Sequence, residues 1–298
     1  MSVESLLNQS ALNKVVLSLK TITPLLMHGY NNRQEAEFRV PSIKGVLRYW
    51  WRSLQVDSEG LLKKESALFG GAGSGTGEGI RSPLQLHVVP ASSRSSFPIR
   101  PHRGPGQGSA FGIPADTDLK IEFSVMKRNA ELLEFYLSLF EFTLAVSGFG
   151  QRARRGYGSL GLVGRNWNNV TEYREYVSQK IEQLTNGRFN LANLPDTKHP
   201  VFRNFWVGKA LPDETKARVI IGQASSRAKA EAGYKYLLGS ISSSSTTRLA
   251  SPLHASVQII DRQYYPVVVE TNLTSRPNVD YRKQRATFLR GIGVNFDG

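Results

Sequence analysis

The sequence has no cysteine. That excludes disulfides and thiolate metal sites and leaves histidine and carboxylate as the available ligand types. The histidines, His28, His87, His102, His199 and His254, stand apart from one another without metal-ligand spacing, so neither a metal nor a cofactor is expected. No apolar run reaches the length of a membrane span, and the amino terminus lacks the basic start and apolar core of a secretory signal. The expectation is a soluble, cytoplasmic protein with no membrane partner. GGAGSGTGEG at 70–79 lacks the Lys-Ser/Thr ending of a phosphate-binding P-loop, which argues against a nucleotide triphosphatase. Acidic residues are also scarce: 24 Asp and Glu face 38 Lys and Arg, giving a formal net charge of +14 and a pI near 10.0. Such a balance points to a polyanionic partner. Three windows, 38–56, 79–115 and 142–171, contain no acidic residue at all.

What is present is an ordinary globular composition, 40% apolar and 21% charged over 298 residues. At about 100 to 200 residues per domain that is two domains. Lys14 to Ile22 alternates as a strand, and a loop rich in Asn and charge, 29–39, leads to a helix that ends before 57. Leu84 to Val89 reads as a second strand, 92–109 as a long polar loop, and Leu119 to Met126 as the clearest strand. Glu131 to Ser147 has a narrow polar line and reads as a buried helix, followed by a strand at Tyr157 to Val163. Strand, helix, strand, strand, helix, strand is the ferredoxin-like order of RNA-recognition folds.

The pattern restarts with a helix at Val170 to Leu184. Strands follow at Val201 to Val207 and Arg218 to Ile221, then a helix at Ser226 to Leu238 and a flexible serine run at 242–245. A hairpin over Leu253 to Ile260 and Tyr264 to Glu270 turns at Asp261, Arg262 and Gln263, and Asp280 can cap a last helix. The fold class expected is therefore α+β, two tandem ferredoxin-like domains over 1–165 and 166–298 with long mobile loops.

Two stretches carry candidate chemistry. PSIKGVLRYWWRSL at 41–54 reads as a helix capped by Ser42, with Ile43, Val46, Leu47, Trp50 and Leu54 on its core side at roughly 100° per residue. Lys44, Arg48, Trp51 and Arg52 fall beside them, cations next to one aromatic, able to hold phosphates and stack a base or equally to form a solvated face. GFGQRARRGYGS at 148–159 places Arg152, Arg154 and Arg155 between two close glycine pairs, which permit positive φ and close approach of another backbone. Tyr157 is a second candidate for covering an unstacked base.

The glycine, apolar, glycine, five residues, glycine, apolar, glycine pattern of this loop resembles the signature loop of the RAMP proteins of CRISPR RNA-silencing complexes. PSIKGVLRYWWR, with TPLLMHG at 23–29 before it and LFGG at 68–71 after it, is similar to the RAMP subunit numbered one of the Cmr, or type III-B, effector complex; SPLHASVQI at 251–259 and YYPVVV at 264–269 resemble that family's second domain. The resemblance implies two ferredoxin-like folds and a non-catalytic subunit. Its partners would be single-stranded RNA (crRNA, target RNA or both) near the guide 3′ end and other Cmr subunits. It also implies that Lys44, Arg48 and Arg52, with Arg152, Arg154 and Arg155, form the basic RNA-binding surface. Met27-His28 departs from the family's smaller or apolar residues and keeps open a metal-independent ribonuclease that processes guide precursor. A basic scaffold docking acidic subunits is the third reading.

Overall fold

The computed structural model describes residues 11–31, 34–72, 79–104, 106, 108–189, 197–231, 238–239, 250–271 and 279–294. The expected segment at 3–12 (up to residue 10), the centre of the glycine stretch and the serine run lie outside them. The first half holds β1 (Leu12–Thr21), the two-residue β2 (Ala36–Glu37), α1 (Val40–Ser53), α2 (Leu61–Phe69) and β3 (Gln85–Val88). Short strands β4 (Ser92–Ser93), β5 (Ser96–Pro98) and β6 (Ser109–Phe111) follow, then β7 (Asp118–Met126), α3 (Glu131–Val146) and β8 (Leu160–Leu162). The stretch read as one long loop at 92–109 thus holds β-ribbons and a helical turn at Pro101–Arg103.

One antiparallel sheet runs β3-β7-β1-β8, the ferredoxin-like order in which the first and third strands lie at the centre. The period-two alternation of β1 and β7 turns Leu17, Leu19, Ile121 and Phe123 toward the helices. There Phe123 meets Phe140 of α3 at 5.0 Å and Trp50 of α1 meets Phe142 at 6.0 Å. Rings this close bury the largest apolar areas in the chain.

The second half holds α4 (Val170–Thr185), β9 (Phe202–Val207), α5 (Glu214–Ala230), β10 (Leu253–Ile260), β11 (Gln263–Thr271) and α6 (Val279–Gly291). Its antiparallel sheet runs β10-β11-β9, again with the first and third strands adjacent, and no fourth strand joins it among the described residues. The strand expected at 218–221 is part of α5. Asp213 caps that helix by accepting from Lys216 N at 2.7 Å, and Ala217, Ile221, Ala224 and Ala228 form its buried face. The β-branched run Val219-Ile220-Ile221 had concealed the longer helical period. The hairpin turns on Asp261 and Arg262 alone, at φ of 45° and 59°, and Gln263 already belongs to β11. Both residues have the positive φ a two-residue hairpin needs.

The two sheets meet along the glycine-rich loop. Arg155 bridges Ala255 of β10, Val257 N donates to Ser159 Oγ at 2.9 Å, and Gln258 Nε2 donates to the carbonyls of Leu144 and Ala145 at the end of α3.

Candidate nucleic-acid interface

Helix α1 begins at Val40, with Pro41 in its first turn and Arg39 at the N-cap without a side-chain cap; Ser42 lies inside the helix. A proline's fixed φ and missing N–H suit a first turn, which sets the start ahead of the expected one. Ile43, Leu47, Trp50 and Leu54 are buried as their spacing requires, and Val46 packs partly buried against them. Trp51 is buried as well, at 6% exposure, its ring edge-on to Phe69 of α2 at 6.1 Å. Helix α2 also carries Glu65, 4% exposed, which accepts from Arg48 Nε at 2.7 Å and from Arg52 Nη1 at 2.8 Å, while Arg48 Nη2 donates to Gly70 O at 2.7 Å. A buried carboxylate demands such partners. Burial and the neighbouring Arg48 hold the Lys44 ammonium below its ordinary pKa. The basic edge of α1 is thus largely engaged within its own chain.

The glycine-rich loop closes on itself. Phe149 N donates to Gly158 O at 2.9 Å, Gly158 N to Pro24 O at 2.9 Å and Gln151 N to Leu26 O at 2.7 Å. A Cβ on Gly158 (φ +69°) would overlap the Phe149 carbonyl, and one on Gly150 (φ +79°) would stand 2.5 Å from Leu26 O. The close approach these glycines permit is that of the chain's own backbone. Tyr157, 1% exposed, donates its hydroxyl hydrogen bond to Pro98 O and accepts from Arg218 Nη1 at 2.8 Å. The two rings expected to stack on a base, Trp51 and Tyr157, are thus both buried in this structure.

The three loop arginines part company. Arg154 turns toward α1, donating to Ser251 O at 2.6 Å with its guanidinium 5.5 Å from the centre of the Tyr49 ring. Tyr49 in turn sits 2.9 Å from Nε2 of the fully buried His254. Burial, then Arg154 and Arg155, hold His254 well below its ordinary pKa of 6.5. The unfolded chain therefore binds a proton that the folded chain refuses. Stability is expected to be full above about pH 6.5 and to fall below it, at up to about 1.4 kcal/mol per pH unit from this group. Urea titrations of the protein and of His254→Gln between pH 7.5 and 5 check it: the histidine-dependent difference should shrink with falling pH.

Arg152 and Arg155 go elsewhere. They line a pocket of about 310 Å³ with Arg100, Arg103, Arg218 and Lys229, between the turn at 100–103, the glycine-rich loop and α5. The turn is docked on α5 through His102, whose Nε2 lies 3.1 Å from Ser226 Oγ and whose ring rests on Gly222, where any Cβ would collide with Nδ1. Burial, then Arg103, Arg152 and Arg100, lower the His102 pKa, favouring the neutral ring. Arg155 Nη2 donates to Leu238 O at 2.7 Å and Arg152 Nη2 to Ile99 O at 2.8 Å, and for Arg152 a carbonyl partner leaves the positive charge in place. Arg218 pairs with Glu214 at 2.5 Å, and no carboxylate is among the described lining residues.

The open face of the first sheet offers no alternative platform. Lys14, Val16, Ser18 and Lys20 of β1 lie beside Ser124, Glu122, Lys120 and Asp118 of β7, with Lys14 and Glu122 ion-paired at 3.1 Å. No aromatic stands among them to stack bases as in RNA-recognition motifs.

Of the pocket's cations, Arg100 and Arg103 fall in the acid-free window 79–115 and were legible there. Arg218 and Lys229 were missed because 218–221 read as a strand and 226–238 as a separate helix; along the single α5 they share a face with Gly222, Ser225 and Ser226. His28 Nε2 lies 2.9 Å from Phe111 O, and among the described residues no group of three His, Asp or Glu could hold a metal ion.

No curated protein matches the sequence. Among solved structures, the chain is similar to the crystal structure of Cmr1 from Pyrococcus furiosus in its apo form, with 16% identity, a TM-score of 0.61 and 90% of each chain covered. A chain in the cryo-EM structure of the type III-B Cmr-beta bound to cognate target RNA is similar at 14% identity and a TM-score of 0.62, covering 95% of this chain and 99% of that one. These likenesses show a shared fold along nearly the whole length. The strand-helix framework around the glycine-rich loop, residues 18–161, matches the model of the RAMP superfamily.

Proposed function

We propose that this chain is a non-catalytic, cytoplasmic RNA-binding subunit of a type III-B (Cmr) CRISPR ribonucleoprotein, built from units 1–165 and 166–298. In this reading it contacts guide RNA, target RNA or both near the guide 3′ end and docks on other Cmr subunits. The observation that carries it is the polycationic pocket between the 100–103 turn, the glycine-rich loop and α5, in a fold shared with chains of Cmr structures. Arg100, Arg103, Arg152 and Lys229 hold phosphates as charge-assisted donors, with Arg155 and Arg218 behind them. Arg154, Arg48 and Arg52 are held by internal contacts beside Lys44 and form the inner flank of the basic surface, and sequence preference is weak because no base-reading contact is on offer among the described lining residues. In this reading the chain binds without cleavage: His28 Nε2 lies against the Phe111 carbonyl and His254 is buried.

Arg100 and Arg103 are exposed, so alanine at both should leave the fold intact. Removing two phosphate contacts on single-stranded RNA should reduce the slope of log affinity against log salt by about 1.4. Fluorescence anisotropy with a labelled RNA from 50 to 300 mM salt reads it (concentrations of the order used for such slopes). An unchanged slope in the folded variant, or RNA cleavage in EDTA that is lost in His28→Ala, would overturn this reading.

A further inference from the structure

We infer that the pocket between the 100–103 turn, the glycine-rich loop and α5 seats a terminal phosphomonoester, so that the chain captures the end of an RNA strand rather than an internal linkage. The inference rests on the RNA-binding reading and deepens it.

The first support is charge. Four lining cations, Arg100, Arg103, Arg152 and Lys229, have no ion pair among the described residues, and they converge on a space of about 310 Å³. That is the lower end of small-ligand pockets. An internal phosphodiester brings one negative charge and two free oxygens. A terminal phosphomonoester brings about −1.5 to −2 and three strong acceptor oxygens, a closer match to several guanidinium forks in so small a volume.

The second is shape. Tyr157 and Arg218, both almost wholly buried, line the pocket, and Tyr157 is tied to Pro98 and Arg218. With the turn pinned to α5 through His102 and Ser226, three walls surround the cations. A strand end can enter such a recess, whereas a continuing strand needs an exit on the far side.

The third is Arg152. It is a non-glycine residue at φ +64°, a conformation that costs free energy and persists where the surroundings hold it. Its Nε is buried without a hydrogen-bond partner, while its Nη2 is fixed on Ile99 O. Burial and Arg100 both lower its pKa, as befits a cation waiting beside another cation. A bound phosphate relieves the repulsion between the two cations.

The test uses the full chain and three labelled single-stranded RNAs of one sequence, ending in hydroxyls only, in a 3′-phosphate or in a 5′-phosphate. One phosphate-ended RNA is expected to bind roughly tenfold tighter or more than the hydroxyl-ended one, a gain of the size charged hydrogen bonds give. Arg152→Gly should erase that preference while keeping the melting temperature, since glycine adopts the positive φ without strain. Equal affinity for the three RNAs overturns end capture and leaves RNA binding standing. A preference that survives in Arg152→Gly overturns the assignment to this pocket. Failure of the wild-type chain to bind any of them overturns both readings.

Discussion

Replacing Arg48 and Arg52 together by alanine is expected to destabilise the protein by about 3–5 kcal/mol, the cost of stranding a buried carboxylate. Both arginines converge on Glu65, which lies in the interior between α1 and α2 and has no water to turn to. The same change should leave the salt slope of RNA binding nearly as it was, because neither guanidinium is among the residues lining the pocket. Denaturant titration checks the first half and anisotropy the second. Adding Glu65→Leu to the pair should restore most of the lost stability, since an apolar side chain there needs no counter-charge. A double variant as stable as the parent but weak in RNA binding would return these arginines to the RNA surface.

The second large effect is at Gly158. Alanine there has to adopt φ +69° and to place its Cβ inside the Phe149 carbonyl, a backbone atom that cannot swing aside. Left-handed backbone alone costs roughly 1–2 kcal/mol for an L-residue. Displacing the Phe149–Gly158 pairing also disturbs the donation of Gly158 N to Pro24, so a total above about 4 kcal/mol is expected. Thermal melting and the soluble fraction on expression measure it. Alanine at Gly164, which also has positive φ but open space around its Cβ position, is the control and should cost only the backbone share. Equal losses at the two positions would mean that loop closure contributes nothing.

Much of the frame is legible in the residues. The alternation in 14–22 and 119–126 placed the central strands of the first sheet to within two or three residues at either end, because one buried face forces a period of two. The narrow polar line of 131–147 marked α3 as buried, and it is. Where Arg218 was followed by three β-branched residues, Val219 to Ile221, the local pattern fitted strand and helix alike. The cap at Asp213 and the alanines at 217, 224 and 228 decided for helix only when the partner face of α6 was in place.

The candidate site divides in the same way. Its composition was readable: acid-free windows flagged both the 100–103 turn and the glycine-rich loop, since uncompensated charge is a property of the sequence itself. Which cations remain uncompensated was not, because ion pairs form across the fold. Glu65 lies 13 and 17 positions from the arginines it holds, and Glu214 reaches Arg218 only once both stand on one helix. The helical wheel set Trp51 beside cations correctly, and α2 then covered it.

By itself the sequence determined the excess of positive charge, the ferredoxin-like order of the first half and the glycine positions that let a loop close. The tertiary structure alone decided what the glycines approach, which arginines face inward, and where the remaining positive charge gathers. The reason is physical: composition and periodicity act through neighbours along the chain, whereas burial and charge pairing depend on neighbours in space.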